Sequence, residues 1–185
     1  MPELSFLINS IFSLIVGVFL LRLLFQLMRT DFRNPFVQAI VRLTNPVVMP
    51  LRRILPPIGR VDTASVVAVI AAQLLQTALI ELLYSGRLAS AGRLLITALL
   101  TLIDTTLYAF LIAIFAWWVI GMVAPDAYNP VSRVLSAIVE PILRPFRRAL
   151  PLIGGFDFSP LAVTLLIIVL RMILNDRIKP LLLDL

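Results

Sequence analysis

The sequence predicts an all-α integral membrane fold: four transmembrane helices from two parallel tandem repeats, each repeat carrying an interfacial amphipathic helical loop. Three observations lead there. Hydrophobic residues make up 61% of the 185 positions, against about 45–50% in soluble domains, and they fall in long blocks nearly free of charge, as membrane-spanning helices do. A basic, proline-punctuated stretch from Asn45 to Gly59 returns ninety-five residues later as Glu140 to Gly154. Finally, most of the net charge of +6 lies in loops beside the apolar blocks. Orientation in the bilayer and contact with anionic headgroups account for that placement better than nucleic acid does, so membrane lipids are the expected partner and nucleic acid is not.

The residue inventory narrows the chemistry. Cysteine and histidine are both absent, which excludes disulfides, thiolate nucleophiles, imidazole acid–base catalysis and His-ligated metals. No phosphate loop, nucleophile elbow or metal cluster is visible. An enzyme is not expected, and neither is a cofactor or a catalytic residue.

Taken in order, the first apolar block runs over about residues 4–27 with Arg22 as its only internal charge. It lacks the basic start and small-residue cleavage site of a signal peptide and reads as a retained helix. Arg22 lies near its basic end, and its stem is expected to snorkel toward headgroups. The first loop, about 34–60, opens at Asn34-Pro35, a capping residue followed by a first-turn proline. Phe36 to Leu43 reads as an interfacial helix with Gln38 and Arg42 on its polar side. Pro46 then restarts the chain, placing Val47, Val48, Leu51, Ile54 and Leu55 on one face and Arg52 and Arg53 on the other. Pro50, like Pro145 later, would break a ladder bond inside a helix, so this element reads either as one helix or as two short turns.

Asp62-Thr63-Ala64-Ser65 is a helix-start cluster for the second block, about 64–84. A polar turn, Ser85 to Gly92, follows, and the third block, about 94–123, is longer than a span requires, with Trp117 and Trp118 suited to an interfacial aromatic belt. The second loop, about 129–156, repeats the layout from Asn129-Pro130 onward, with Ile142, Leu143, Phe146 and Leu150 opposed to Arg144, Arg147 and Arg148. Ser159-Pro160 opens the fourth block, about 160–174, and a short mixed tail closes the chain. The repeats are therefore 1–90 and 91–185.

At the fixed offset of 95, positions 34–66 against 129–161 give eleven identities. They are Asn34/Asn129, Pro35/Pro130, Pro46/Pro141, Pro50/Pro145, Arg52/Arg147, Arg53/Arg148, Leu55/Leu150, Pro56/Pro151, Ile58/Ile153, Gly59/Gly154 and Asp62/Asp157. Apolar bias could align leucines and isoleucines, but not prolines, arginines, a glycine and an aspartate in register. Two spans per repeat bring both copies into the membrane in the same direction. By the positive-inside rule both basic loops are cytoplasmic and both termini periplasmic.

The duplicated motif Asn-Pro-(x)10-Pro-(x)3-Pro-x-Arg-Arg-x-Leu-Pro-x-Ile-Gly-(x)2-Asp resembles that of the YggT family, called YlmG in Gram-positive bacteria, over essentially the whole chain. The resemblance implies a small helical inner-membrane protein. It implies links to osmotic shock tolerance, to cell division and nucleoid distribution and, in plastids, to haem attachment during assembly of a b-type cytochrome complex. It brings no catalytic residues. The second copy departs at Glu140, where the first has Asn45, and at Leu152, where the first has Pro57.

Two intramembrane charges fall at matching depth. Asp104 lies roughly 15 Å from the outer end of its block, and Arg171 is roughly 18 Å up from the inner end of its own, leaving about 12 Å above it in a ~30 Å core. An ion pair joining the third and fourth helices is expected; a proton or ion relay is the sharper alternative. Their counterparts 95 residues earlier, Asn9 and Gln76, are uncharged. Arg52, Arg53, Arg144, Arg147 and Arg148 read as topology signals and headgroup contacts, or as a docking surface for an acidic partner or for cardiolipin. The functional expectation is a non-enzymatic inner-membrane scaffold or assembly factor. It would work with other membrane or cytoplasmic proteins and could self-associate as a homo-oligomer. The competing class is a small channel or transporter in osmotic or ion homeostasis.

Overall fold

A computed structural model describes residues 2–59, 61–123, 129–150 and 157–183. The chain folds as helices α1 (Pro2–Leu27), α2 (Pro35–Ile54), α3 (Thr63–Ser85), α4 (Ala91–Val123), α5 (Pro130–Ala149) and α6 (Ser159–Ile173). The last continues through a π-helical segment, Leu174–Ile178, into α7, Lys179–Leu183. Among the described residues the only extended pairing is an isolated bridge between Ile58 and Val61. Three helical stretches, Glu3–Leu27, Thr63–Ser85 and Ala91–Val123, are long and apolar enough to cross a membrane. At 1.5 Å per residue the shortest of them reaches about 34 Å, beyond the ~30 Å of hydrocarbon. Their outer surfaces carry large exposed side chains such as Phe6, Leu14 and Phe115, the arrangement expected where the surrounding solvent is lipid. The protein is therefore a membrane protein. Helix α6, at 15 residues, spans only about 22 Å by itself.

Helix α1 packs chiefly on α3, and α4 packs on α6; α3 against α4 joins the two halves. At one end of the bundle α2 lies across α1 and α3, α5 lies across α4 and α6, and α2 and α5 touch each other. One apolar cluster gathers Val16, Leu20, Leu24, Val48, Ala68 and Val69. The other carries Phe25 and Val37 from the first half into Ile114, Ile138, Leu143 and Val163 of the second, so the halves share a core.

Helices α2 and α5 are each continuous over 20 residues, despite Pro46 and Pro50 in one and Pro141 and Pro145 in the other. The alternative of two short turns is thus corrected. The reason is the side on which the prolines fall: all four are exposed, while Val37, Thr44 and Val48 of α2 and Val134, Ile138 and Leu143 of α5 are buried beneath. Burial of that inner stripe holds the helix where the prolines remove ladder bonds. The face assignment also changes, because Val47 and Ile54 are exposed rather than packed.

Each loop helix starts on its asparagine. Asn34 Oδ1 accepts from the amide of Phe36, and Asn129 Oδ1 accepts from Val131, both at 2.9 Å, with Pro35 and Pro130 at the first helical position. Asn34 Nδ2 also donates to the Pro130 carbonyl at 2.7 Å, tying the two starts together. After α2, a tight turn pairs Ile58 and Val61 through backbone bonds of 3.1 and 3.2 Å, with Gly59 at φ +60°. A Cβ at Gly59 would meet nothing within 4 Å, so Gly59→Ala isolates the left-handed backbone cost. It is expected to lower stability by about 1 kcal/mol, measured by thermal unfolding in detergent micelles.

Candidate functional site

The described polar side chains collect at two levels of the bundle. At the loop end, the last turn of α2 faces the first turn of α3. Arg52 grips Asp62 with Nε at 3.0 and 3.1 Å and Nη2 at 2.5 Å, while Ser65 Oγ donates to the same carboxylate at 2.6 Å. Asp62 is 2% exposed and does not bond the helix amides, so its role as a helix cap is replaced by that of a counter-ion. Burial by itself raises the Asp62 carboxyl. Hydrogen bonds from Arg52 and Ser65, and the charges of Arg52 and Arg22, outweigh it and hold the group below the ordinary carboxylate range. Thr63 Oγ1 donates to the Pro56 carbonyl at 2.7 Å and closes the corner.

The second junction uses the matching residues with one more carboxylate. Arg147 donates to Glu140 at 2.5 Å and to Asp157 at 2.7 Å, and its guanidinium lies 5.6 Å from the Trp117 ring centre. Burial opposes the charge on Arg147, but the Asp157 and Glu140 bonds outweigh it and raise the group. Asp157 is likewise pushed up by burial, then brought below its usual range by bonds from Ser159 and Arg147. Its Oδ1 accepts from the Ser159 amide at 2.9 Å, satisfying the first amide of α6 from one residue before the cap position, Phe158.

Arg22 does not snorkel. Its Nη1 donates to Thr44 Oγ1 at 2.6 Å, Asn45 Oδ1 at 2.9 Å and the Val41 carbonyl at 3.2 Å, and the residue is 4% exposed. The physical reason is that α2 folds back over the end of α1 and brings Val41, Thr44 and Asn45 within hydrogen-bond reach of the guanidinium. Trp117, expected in an interfacial belt, behaves the same way in the second half: Nε1 donates to Ser136 Oγ of α5 at 2.9 Å.

At the other level, within the bundle, Arg171 meets Asp104 through Nε at 2.8 Å and Nη2 at 3.1 Å. Tyr108 stacks 4.8 Å from the Arg171 guanidinium, and Asn175 donates to Asp104 at 3.0 Å. The residues 95 positions earlier meet likewise, since Gln76 Nε2 donates to Asn9 Oδ1 at 2.8 Å and to Ser13 Oγ at 3.0 Å. Beside them is a cavity of about 290 Å³ lined by Asn9, Gln73, Gln76, Glu81 and Arg93 among others. Gln73 is 2% exposed, and its Oε1 has no partner among the described residues.

The structure thus separates the predicted arginines. Arg52 and Arg147 each hold an internal carboxylate, with the Arg52 side chain still 44% open to solvent. Arg53, Arg144 and Arg148 are exposed. Pro151 and Gly154 lie outside the described residues. The Arg-to-Asp junction escaped the sequence reading, although its signal was present: both members recur at the same spacing in both copies.

A family model described as CCB3/YggT matches this chain twice, over residues 1–83 and 96–178. An uncharacterized protein of Pseudomonas aeruginosa is 38% identical over 177 residues, covering 94% of this chain and 88% of the relative. An uncharacterized protein of Vibrio alginolyticus is 35% identical over 185 residues, covering 97% of each. The uncharacterized protein YggT of Escherichia coli K12 is 35% identical over 178 residues, covering 93% of this chain and 89% of the relative. No solved structure matches.

Proposed function

The chain belongs to the CCB3/YggT family, and from that premise we propose that it is a non-enzymatic inner-membrane scaffold or assembly factor. Its working surface is the loop end of the bundle. One observation carries the reading: α2 and α5 are fixed to the spans from beneath by Arg22, Arg52, Trp117 and Arg147, yet turn Arg53, Arg144 and Arg148 outward. Two apolar side chains of α2, Val47 and Ile54, are exposed as well. A rigidly mounted surface mixing cations with apolar groups is suited to anionic headgroups and to an acidic partner protein. The processes implied by the family resemblance are osmotic stress tolerance, cell division and assembly of membrane complexes.

In this reading the membrane is crossed four times, with the α6 span completed by its π-helical and α7 continuation, which lengthens 15 residues to 25. Both loop helices are then cytoplasmic and both termini periplasmic. Reporters fused at residues 45 and 140 should report the same compartment; opposite compartments would overturn the arrangement. The scaffold itself is tested by affinity purification from membranes. The triple variant Arg53→Gln/Arg144→Gln/Arg148→Gln should lose at least one partner that the native chain retains, while keeping its helix content. Unchanged partner recovery rejects the docking surface.

A second reading, a small channel or transporter, is favoured by the polar cavity beside Gln73 and Gln76. Ion flux through proteoliposomes of purified protein, abolished by Gln76→Leu, would support it over the scaffold.

A further inference from the structure

Arg22 is a buried cation without an anion of its own. The three acceptors on its Nη1 are all neutral. The carboxylate nearest in role, Asp62, is engaged by two nitrogens of Arg52 and by Ser65. Two guanidinium groups therefore share one carboxylate, and one positive charge is left over. An unbalanced charge out of water costs several kcal/mol, so such a place calls for an anion.

The space for one is present. Between α1 and α2 is a cavity of about 340 Å³ lined by Arg22, Gln26, Asn45 and Arg52, with the half-exposed side chains of Phe32 and Met49 also on its wall. That is about ten times the ~30 Å³ share of a water molecule, enough for a phosphodiester and part of its glycerol. It opens where the apolar run of α1 gives way to the polar loop, at headgroup depth in the four-span reading on which this inference rests. Planar guanidinium groups match phosphate oxygens in pairs.

The second half of the chain supplies the control. Ninety-five residues on, Arg22 is replaced by Trp117, Asn45 by Glu140, and Arg52 and Asp62 by Arg147 and Asp157. There the Glu140 carboxylate sits on the arginine at 2.5 Å. One guanidinium then faces two carboxylates, the reverse of the first half. The second junction carries its own anion at the position where the first has a neutral amide and an additional cation.

We propose that the cavity between α1 and α2 binds the phosphate of an anionic phospholipid between Arg22 and Arg52. A zwitterionic lipid fits less well, because its ammonium would enter a site whose carboxylate is already engaged. Asn45→Glu places in the first half the carboxylate that the second half has at Glu140, and so fills the site from within the chain without removing the buried arginine.

The test is native mass spectrometry of the full chain released from detergent micelles with added phosphatidylglycerol or phosphatidylcholine. The native chain should retain a single phosphatidylglycerol, and phosphatidylcholine more weakly. Asn45→Glu and Arg22→Gln should each bind phosphatidylglycerol about tenfold less tightly, as expected when a charged hydrogen-bonded contact is lost. If Arg22→Gln fails to fold, Asn45→Glu decides alone. Arg53→Gln, on the outer surface, should leave this lipid in place whatever it does to partner recovery, which separates failure of this site from failure of the scaffold reading. Equal retention by Asn45→Glu and the native chain overturns the site. Displacement by glycerol phosphate at equal concentration overturns the lipid in favour of a soluble phosphate.

Discussion

Asp104→Leu and Arg171→Leu should each destabilise the bundle by about 2–4 kcal/mol, somewhat below the usual cost of stranding one member of a fully buried ion pair because this one is part-buried. The double variant Asp104→Asn/Arg171→Gln should recover most of that loss. Its basis is in the first half of the chain, where Asn9 and Gln76 hold the corresponding helices by a 2.8 Å amide contact with no charge at all. Asn175 and Tyr108 remain on the neutral pair, since Asn175 reaches position 104 and Tyr108 stacks over position 171. Thermal unfolding of the native chain and the three variants in micelles measures each loss and the recovery. A double variant no better than the worse single one would mean that the charges themselves, rather than a polar contact between helices, are required there. Activity in the channel reading would then rest on them.

Asp62→Ala should be comparably damaging, at about 2–4 kcal/mol, because it leaves Arg52 and Arg22 facing each other with no carboxylate between them. The lower figure allows for the half-exposed Arg52 side chain, 44% open to solvent. The same pair predicts an acid limit to stability. The folded-state carboxyl of Asp62 lies below its ordinary range, so the unfolded chain takes up that proton first. The stabilisation is complete above the unfolded value near ~pH 4 and declines as pH falls below it. Unfolding measured from neutral pH downward should show this slope in the native chain and lose part of it in Asp62→Ala. Asp157, lowered in the same direction, adds to the slope.

The spans were legible because their signal is coarse. Lipid imposes about twenty apolar residues in a row, and α1, α3 and α4 obey it in plain view. The helix starts at Asn34 and Asn129 were legible for an equally local reason, a cap followed by proline. The continuity of α2 and α5 was not, since the rule for interior prolines considers the ladder alone. Here packing of Val48 and Leu143 beneath the helices decides. Arg22 was misread because a one-dimensional distance to the end of a helix says nothing of a second helix folding back with Thr44 and Asn45. The tail beyond the fourth block read only as short and mixed, because Asn175, Asp176 and Arg177 interrupt its apolar pattern. It is helical because Asn175 reaches Asp104 and Lys179 donates to Asn175 at 2.7 Å.

The outward prolines of α2 and α5 have a further consequence. Lacking N–H groups, Pro46 and Pro50 leave the carbonyl oxygens of Arg42 and Pro46 without their ladder donors, as Pro141 and Pro145 do for Ala137 and Pro141. Bare carbonyls are tolerated only where water can reach them. Each helix therefore carries a row of oxygens that must stay wet, which limits how far that face of α2 or α5 can be covered by anything that excludes water.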